Sequence, residues 1–444
     1  MATNEVIRTL DLSAHRIDPL LDSSMVNLAV PRAALDISVA LEQIKPLLDD
    51  VRSRGEQAVV EVTLDRDRVD PRPIRVSAAE LEAALAELDP ELRAAIETSI
   101  SRVRAVSQAT LPTEVSVELA AGAEVRQRWV PVDSVGLYVP GGKAVYPSSV
   151  VMNVVPAQAA GVPRIALASP AQAAFGGRPH PTVLATAALL GVSEVYCMGG
   201  PAAIAAFAHG LPTVPLAPVS MVTGPGNIFV AAAKRALRGQ IGIDSEAGTT
   251  EILIIADSAA DPKLIAYDLI SQAEHDEAAA SVLVTDSSDL IDRVRQELAL
   301  AVERTHHRER VLQALAGQQS ALVLVATLAD AIAFANHYAT EHLEIQVRDP
   351  ETLLASITNA GAVFLGANSP VSLGDYMAGS NHVLPTGQQA KFGAGLGVHT
   401  FLRPQQVVNY TRDALAAVNQ QIVRFAEAEQ LPGHGDAVRV RFEN

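Results

Sequence analysis

Glu341 and His342 stand side by side in YATEHLEIQV, where a helical pattern gives way to a strand-like one. A carboxylate and an imidazole together can divide two proton transfers near neutral pH, because a modest shift moves either pKa toward the working range. By itself the pair specifies no reaction. Gln272 and His275 stand three apart in DPKLIAYDLISQAEHDEAAA, a stretch that reads as one long helix, so they share a face and could grip one ion. Ordinary polar positions on a wet helix face have the same spacing, so further donors are needed. Two stretches offer them: SLGDYMAGSNHVLP carries Asp375 and His382, and EAEQLPGHGDAVR carries Glu429 and His434. Gly-rich loops bearing Asp and His are better site candidates than helix faces. Asp375 alone also reads as a turn residue, and His434 alone as a solvated tail residue.

The one cysteine, Cys197 in EVYCMGG, cannot close an internal disulfide, and no Cys-rich zinc pattern is possible. Any metal must be held by N and O ligands. Cys197 itself reads as a small core residue within a strand. His306 and His307 in THHRER read as an exposed helix face, and His180, His209 and His399 have no matching partners.

Two Gly-rich stretches could take a phosphate. YVPGGKAVYPSSVVMN (138–153) and VTGPGNIFVAAAKRAL (222–237) each place a Gly/Pro turn ahead of a helix, where free backbone N–H groups and the helix dipole favour anions. Taken alone, each is somewhat better explained as a tight turn built from residues that tolerate unusual dihedrals. No G-x-G-x-x-G follows a strand-like run, so the usual dinucleotide fingerprint is missing.

The elements that must position these groups fall into two regimes. Residues 31–112 read mostly as helix, with apolar positions recurring at three and four. From about residue 130, short β-rich runs (RIALAS, EVYCMGG, EILIIAD, SVLVTD, ALVLVA, GAVFLG) alternate with Ala-rich helical stretches, which argues for parallel sheets built from βαβ units. Gly and Pro interrupt the pattern near VGLYVPGG, EAGTTE and GAGLGV, making 138–250 a candidate inserted domain. A chain of 444 residues with 49% apolar residues has ample core for two to four domains. Its formal charge of -16 argues against nucleic acid and anionic lipid as partners. The N-terminus lacks a basic segment followed by an apolar core, and no apolar run reaches about 18 residues. A soluble cytoplasmic protein, with no membrane partner, is the expectation.

Taken together, VGLYVPGG, YPSSVVMNVVPAQAAGV, TGPGN, GIDSEAG, DLISQAEHD, TEHLEI and SLGDYMAGSNHVLPTG resemble the histidinol dehydrogenase family in order and approximate spacing. The resemblance runs from about residue 30 to the C-terminus. It implies a homodimer that oxidises L-histidinol to L-histidine through L-histidinal, with one Zn2+ per subunit and two NAD. The implied fold is α/β, with two incomplete Rossmann-like domains built on parallel sheets, a small N-terminal segment and a C-terminal helical tail. The implied units are 1–34; 35–137 with 252–396 as a discontinuous main domain; 138–251 as an inserted cofactor-binding domain; and 397–444 as a tail reaching the partner subunit.

The resemblance also implies residue roles. Gln272, His275 and Asp375 fall on metal-ligand positions, and His434 on the fourth, which comes from the partner subunit. Glu341 and His342 match the catalytic pair. Thr250, His382 and Glu429 match substrate-contacting positions, joined there by the catalytic pair and the metal ligands. Tyr138 and Asn227 match cofactor-contacting positions. One residue departs from the pattern: Ala202 stands where the family carries a cofactor-contacting Gln. In this scheme His342 is the base for alcohol oxidation, Glu341 activates the water that adds to the aldehyde, and no cysteine is needed.

Overall fold

The computed structural model describes residues 6–33, 37–141, 144–246 and 248–443. Gly142 and Lys143 of the first Gly-rich stretch, Ala247 of EAGTTE and the expected boundary at 34/35 lie outside the described residues.

Two parallel sheets and one small antiparallel sheet organise the chain. The larger sheet runs Thr9–Asp11, Ala321–Leu324, Ala280–Thr285, Glu251–Ala256, His342–Gln346, Ala362–Leu365, all parallel. EILIIA and ASVLVT are buried at every position because helices cover both faces. The Pro262–Ala273, Ser288–Val302 and Arg308–Ala316 helices pack on one face, and the Ser23–Ala29 and Leu328–Tyr338 helices on the other. The second sheet runs Glu194–Cys197, Arg164–Ser169, Ser134–Tyr138, Met221–Thr223, Gly242–Ile243, also all parallel. One face carries the Pro90–Ala109, Pro147–Ala159 and Pro181–Leu189 helices, the other the Ile37–Arg54, Gly200–His209 and Ile228–Leu237 helices. Packing there is close: a Cβ at Gly136 would sit 2.5 Å from the Phe207 ring.

Residues 37–109, part of the segment that the family resemblance groups with 252–396, place their buried apolar side chains in the cores of the five-stranded sheet. Gly and Pro mark where the chain turns, not which sheet a helix covers. In the third sheet Ala123–Pro131 is the central strand, paired antiparallel with Leu402–Tyr410 on one side and Val115–Ala120 on the other. The C-terminal tail therefore enters its helices, Arg412–Ala428 and Pro432–Arg439, through a nine-residue strand. Among the described residues, no helix is long and apolar enough to cross a membrane.

Both parallel sheets reverse direction of growth once. In the five-stranded sheet the chain steps outward from Ser134–Tyr138 through two strands, then returns to its other side with Met221–Thr223. Ligand crevices form at the carboxyl ends of strands at such a switch point. In the six-stranded sheet the switch falls between Glu251–Ala256 and His342–Gln346. The chemistry-bearing residues lie at the amino ends of those two strands, facing the carboxyl ends of the other sheet.

Candidate active site

A cleft of about 580 Å³ opens between the sheets, lined by Tyr138, Asn227, Thr250, His275, Glu341, His342, Asp375 and His382 among others. The Gly-rich turns meet there as well. Gly224 has φ +119°, and a Cβ on it would fall 2.0 Å from the carbonyl oxygen of Tyr138, so the 224–227 loop lies directly on the end of that strand. Buried Lys234 holds the loop from beneath: Nζ donates to the Gly224 carbonyl (2.6 Å) and Asp244 Oδ1 (2.5 Å), while Asp244 Oδ2 accepts from the Gly224 N–H (2.8 Å). Asn227 caps the Ile228–Leu237 helix through Oδ1, which accepts from the N–H groups of Phe229 and Val230. The Tyr138 hydroxyl accepts from the Gly200 N–H (3.0 Å), and burial pushes its pKa up to about 12.

Glu341 and His342 are both buried. Glu341 Oε2 accepts from Thr250 Oγ1 (2.5 Å) and the Glu251 N–H (3.0 Å). Burial nevertheless pushes the carboxyl up to about 8; those two hydrogen bonds pull it down, and the charges of Glu251 and Asp375 raise it further. Burial lowers the His342 pKa, partly offset by Asp375 and by the bond to the Glu251 carbonyl. His342 Nδ1 lies 3.1 Å from that carbonyl oxygen, which can only accept, so the proton resides on Nδ1. Nε2 then carries the lone pair, buried and without a hydrogen-bond partner among the described residues. The 3.6 Å approach of His342 Nδ1 to Glu341 Oε2 is accordingly not an ion pair at neutral pH.

His382 is fixed in the same manner. Its Nδ1 meets the Asp375 carbonyl oxygen (3.1 Å), and Nε2 lies 3.3 Å from Ser149 Oγ. Burial keeps both His275 and His382 below the usual imidazole range, against the raising charge of Asp375. Ser149, Tyr146 and Tyr376 also line the cleft and were not singled out from the sequence, although YPSSVVMN marked the neighbourhood.

The helix reading of Gln272 and His275 is corrected. The Pro262–Ala273 helix ends before His275, which sits in a turn where Asp276 Oδ1 accepts from the Ala278 N–H (3.0 Å), and the next strand begins at Ala280. Gln272, on the last turn, donates from Nε2 to Thr250 Oγ1 (2.6 Å), so Thr250 links it to Glu341. Gln272 Oε1 is left buried with no hydrogen-bond partner among the described residues. An orphaned amide oxygen, a neutral imidazole at His275 and a carboxylate at Asp375 fit an N/O-coordinated metal of borderline softness such as zinc. Among the described residues, no three of His, Cys, Asp and Glu group to hold a metal by themselves. Glu429 and His434 do not line the cleft; both are exposed, Glu429 just past the Arg412–Ala428 helix and His434 within the Pro432–Arg439 helix. Cys197 lies buried in an edge strand, receives a hydrogen bond from Arg178 (3.0 Å) and is pushed up to about 11 by burial, which makes it inert. Ala202 packs among the small residues of the core beneath Tyr138.

Two parallel sheets meeting at a cleft that holds a buried carboxyl–imidazole pair define an α/β enzyme whose site is built for proton transfer. The chain matches the histidinol dehydrogenase family model over residues 30–442. It is 57% identical to histidinol dehydrogenase of Leifsonia xyli subsp. xyli, covering 93% of this chain and 95% of that one. It is 56% identical to that of Thermobifida fusca, covering 98% of each. The crystal structure of histidinol dehydrogenase from Elizabethkingia anophelis superposes with a TM-score of 0.90 at 31% identity, covering 99% of this chain and 98% of that one. The chain belongs to the histidinol dehydrogenase family, as an NAD-dependent oxidoreductase acting on a CH–OH group in histidine biosynthesis.

Proposed function

We propose that this enzyme carries out the four-electron oxidation of L-histidinol to L-histidine through L-histidinal, as a cytoplasmic homodimer using two NAD and one zinc ion per subunit. The observation that carries this reading is His342, a cleft-lining, buried neutral imidazole whose Nδ1–H is spent on a carbonyl and whose Nε2 has no hydrogen-bond partner among the described residues. In the first oxidation His342 Nε2 accepts the hydroxyl proton as hydride leaves the carbinol carbon for the first nicotinamide. Water then adds to the aldehyde, with Glu341 taking one of its protons in the ionised form that becomes the main one above its raised pKa of about 8. His342 accepts the hydrate's proton as the second hydride leaves, so alcohol, water and two NAD become carboxylate, two NADH and three protons.

Gln272, His275, Asp375 and the partner subunit's His434 would hold the zinc, which when bound supplies a Lewis-acid anchor for the substrate's amine and imidazole. Thr250 keeps Gln272 and Glu341 in register, while His382 and Glu429 would contact the substrate's polar groups. Tyr138 and Asn227, at the switch point of the five-stranded sheet, would contact NAD, giving segment 138–251 the cofactor-binding role. The dimer reading is supported by exposed apolar side chains on the C-terminal tail, including Val408 (69%) and Phe425 (72%), and by Val115, Val117 and Leu119 on the far strand of the small sheet that Val408 belongs to. Tail residues 397–444 would then reach the partner's cleft.

Chelator-treated protein, assayed for NAD reduction with L-histidinol and with other small alcohols, tests the reading. Histidinol-dependent reduction that vanishes on chelation and returns with zinc is expected. Undiminished activity in fully demetallated protein would overturn the metal assignment, and preference for another alcohol would overturn the substrate.

A further inference from the structure

The strand carrying His342 has an unusual inner face. Side chains alternate along a strand, so His342, Glu344 and Gln346 share one side of the sheet, and all three are buried. Burying a carboxylate and an amide costs free energy unless they are hydrogen-bonded, and neither takes part in the chemistry above. Their partners lie on two other elements of the site. Glu344 Oε1 accepts from the N–H of Val371 (3.1 Å), the first residue of the Val371–Tyr376 helix that bears Asp375. Gln346 Nε2 donates both to Glu344 Oε2 (2.8 Å) and to Asp268 Oδ2 (2.9 Å). Asp268 stands four residues before Gln272 on the Pro262–Ala273 helix, one turn away on the same side.

We propose that Glu344, Gln346 and Asp268 form a hydrogen-bonded clamp that positions Asp375 and Gln272 relative to His342, and thereby sets the metal affinity of the site. The proposal rests on the assignment of Asp375 and Gln272 as zinc ligands. Glu344 is the hub: one oxygen fixes the start of the helix that bears Asp375, and the other ties, through Gln346, to the helix that bears Gln272. Glu344 and Asp268 also hydrogen-bond each other, which two carboxyls do by sharing one proton. Burial, with the Asp268 charge second, raises Glu344 to about 8, in keeping with that shared proton. A glutamine at 344 keeps the acceptor for Val371 and a donor toward Asp268 once the Gln346 amide turns over, so that its Oε1, unpartnered here among the described residues, accepts from the new NH2. A leucine of similar size keeps neither. Asp268 lies beyond the cleft lining, so it acts through the groups it holds, not on substrate.

The test compares full-length wild type with Glu344→Leu, Glu344→Gln and Asp268→Ala, measuring zinc affinity by competition with a chromophoric chelator beside kcat and KM for L-histidinol. Changes behind the ligands of a metal site typically weaken binding on the order of tenfold to a hundredfold. That loss is expected for Glu344→Leu and Asp268→Ala, with kcat reduced and KM for NAD unchanged, whereas Glu344→Gln should stay within about threefold of wild type on the same scale. Asp268→Ala leaves the Val371 contact intact and keeps the test open should Glu344→Leu fail to fold. Folded Asp268→Ala and Glu344→Leu proteins with wild-type zinc affinity would overturn the clamp, as would equal losses in Glu344→Gln and Glu344→Leu. Wild type that binds no zinc would instead remove the ligand assignment, and the clamp with it.

Discussion

Replacing Glu341 with Gln should make the metal-free protein more stable above pH 8 and alter its dependence on pH in a calculable way. The carboxyl sits near 4.5 in an unfolded chain and about 8 in the folded one, raised chiefly by burial. Between those values the folded state holds a proton that the unfolded state has released. Folding stability therefore falls as pH rises through this window, by about 1.4 kcal/mol per pH unit for one proton. Over the whole window the penalty reaches roughly 5 kcal/mol, an upper figure because the unfolded chain and local relaxation absorb part of it. Glutamine keeps the acceptor oxygen for Thr250 and the Glu251 N–H but cannot ionise. Urea unfolding of chelator-treated wild type and Glu341→Gln at fixed protein concentration, from pH 5 to 9, measures the difference directly. The two should lie close near pH 5 and separate by about 1.4 kcal/mol per unit until the wild type levels off above pH 8. A separation that does not change with pH would refute the buried, protonated carboxyl.

Three further outcomes follow from the same geometry. His342→Asn should lower kcat for histidinol oxidation by about 10²- to 10⁴-fold, the usual worth of a general base, with substrate binding retained in equilibrium dialysis. Lys234→Met would strand the buried Asp244 carboxylate; about 3–5 kcal/mol of stability should be lost in thermal or urea melts, and KM for NAD should rise because the Gly224 loop loses its anchor. Mixing two inactive proteins, one His275→Ala and the other His434→Ala, should restore a fraction of the activity if each cleft takes a ligand from the other chain. No recovery after subunit exchange would place His434 outside the site.

Residue chemistry was legible in the sequence wherever polar groups broke an otherwise apolar pattern. The Glu341–His342 pair and the Asp375–His382 stretch are of this kind, and the fold brings them together with His275. What local pattern could not supply was the state of these groups. That His342 carries its proton on Nδ1 depends on the carbonyl of Glu251, ninety-one residues away in the chain. The long helix expected through His275 ends two residues early, because Asp276 makes a local turn that competes with continued helix. HLEIQ alternates as a half-exposed strand would, yet its polar side faces inward, where Asp268 accepts from the Gln346 amide and Glu344 accepts from the Val371 N–H. The small antiparallel sheet escaped notice because Val115–Ala120 is exposed along its whole length, so alternation there marks no buried face. Nor could any local pattern place the proton-transfer pair at the amino ends of strands, which follows from how the two sheets meet.

The central claim is that one cleft performs two successive oxidations, and NADH formed per L-histidinol consumed by zinc-loaded enzyme tests it most directly. Two NADH per substrate, with L-histidine as the product, is the predicted result. One NADH, with the aldehyde released, would contradict it and remove the role assigned to Glu341.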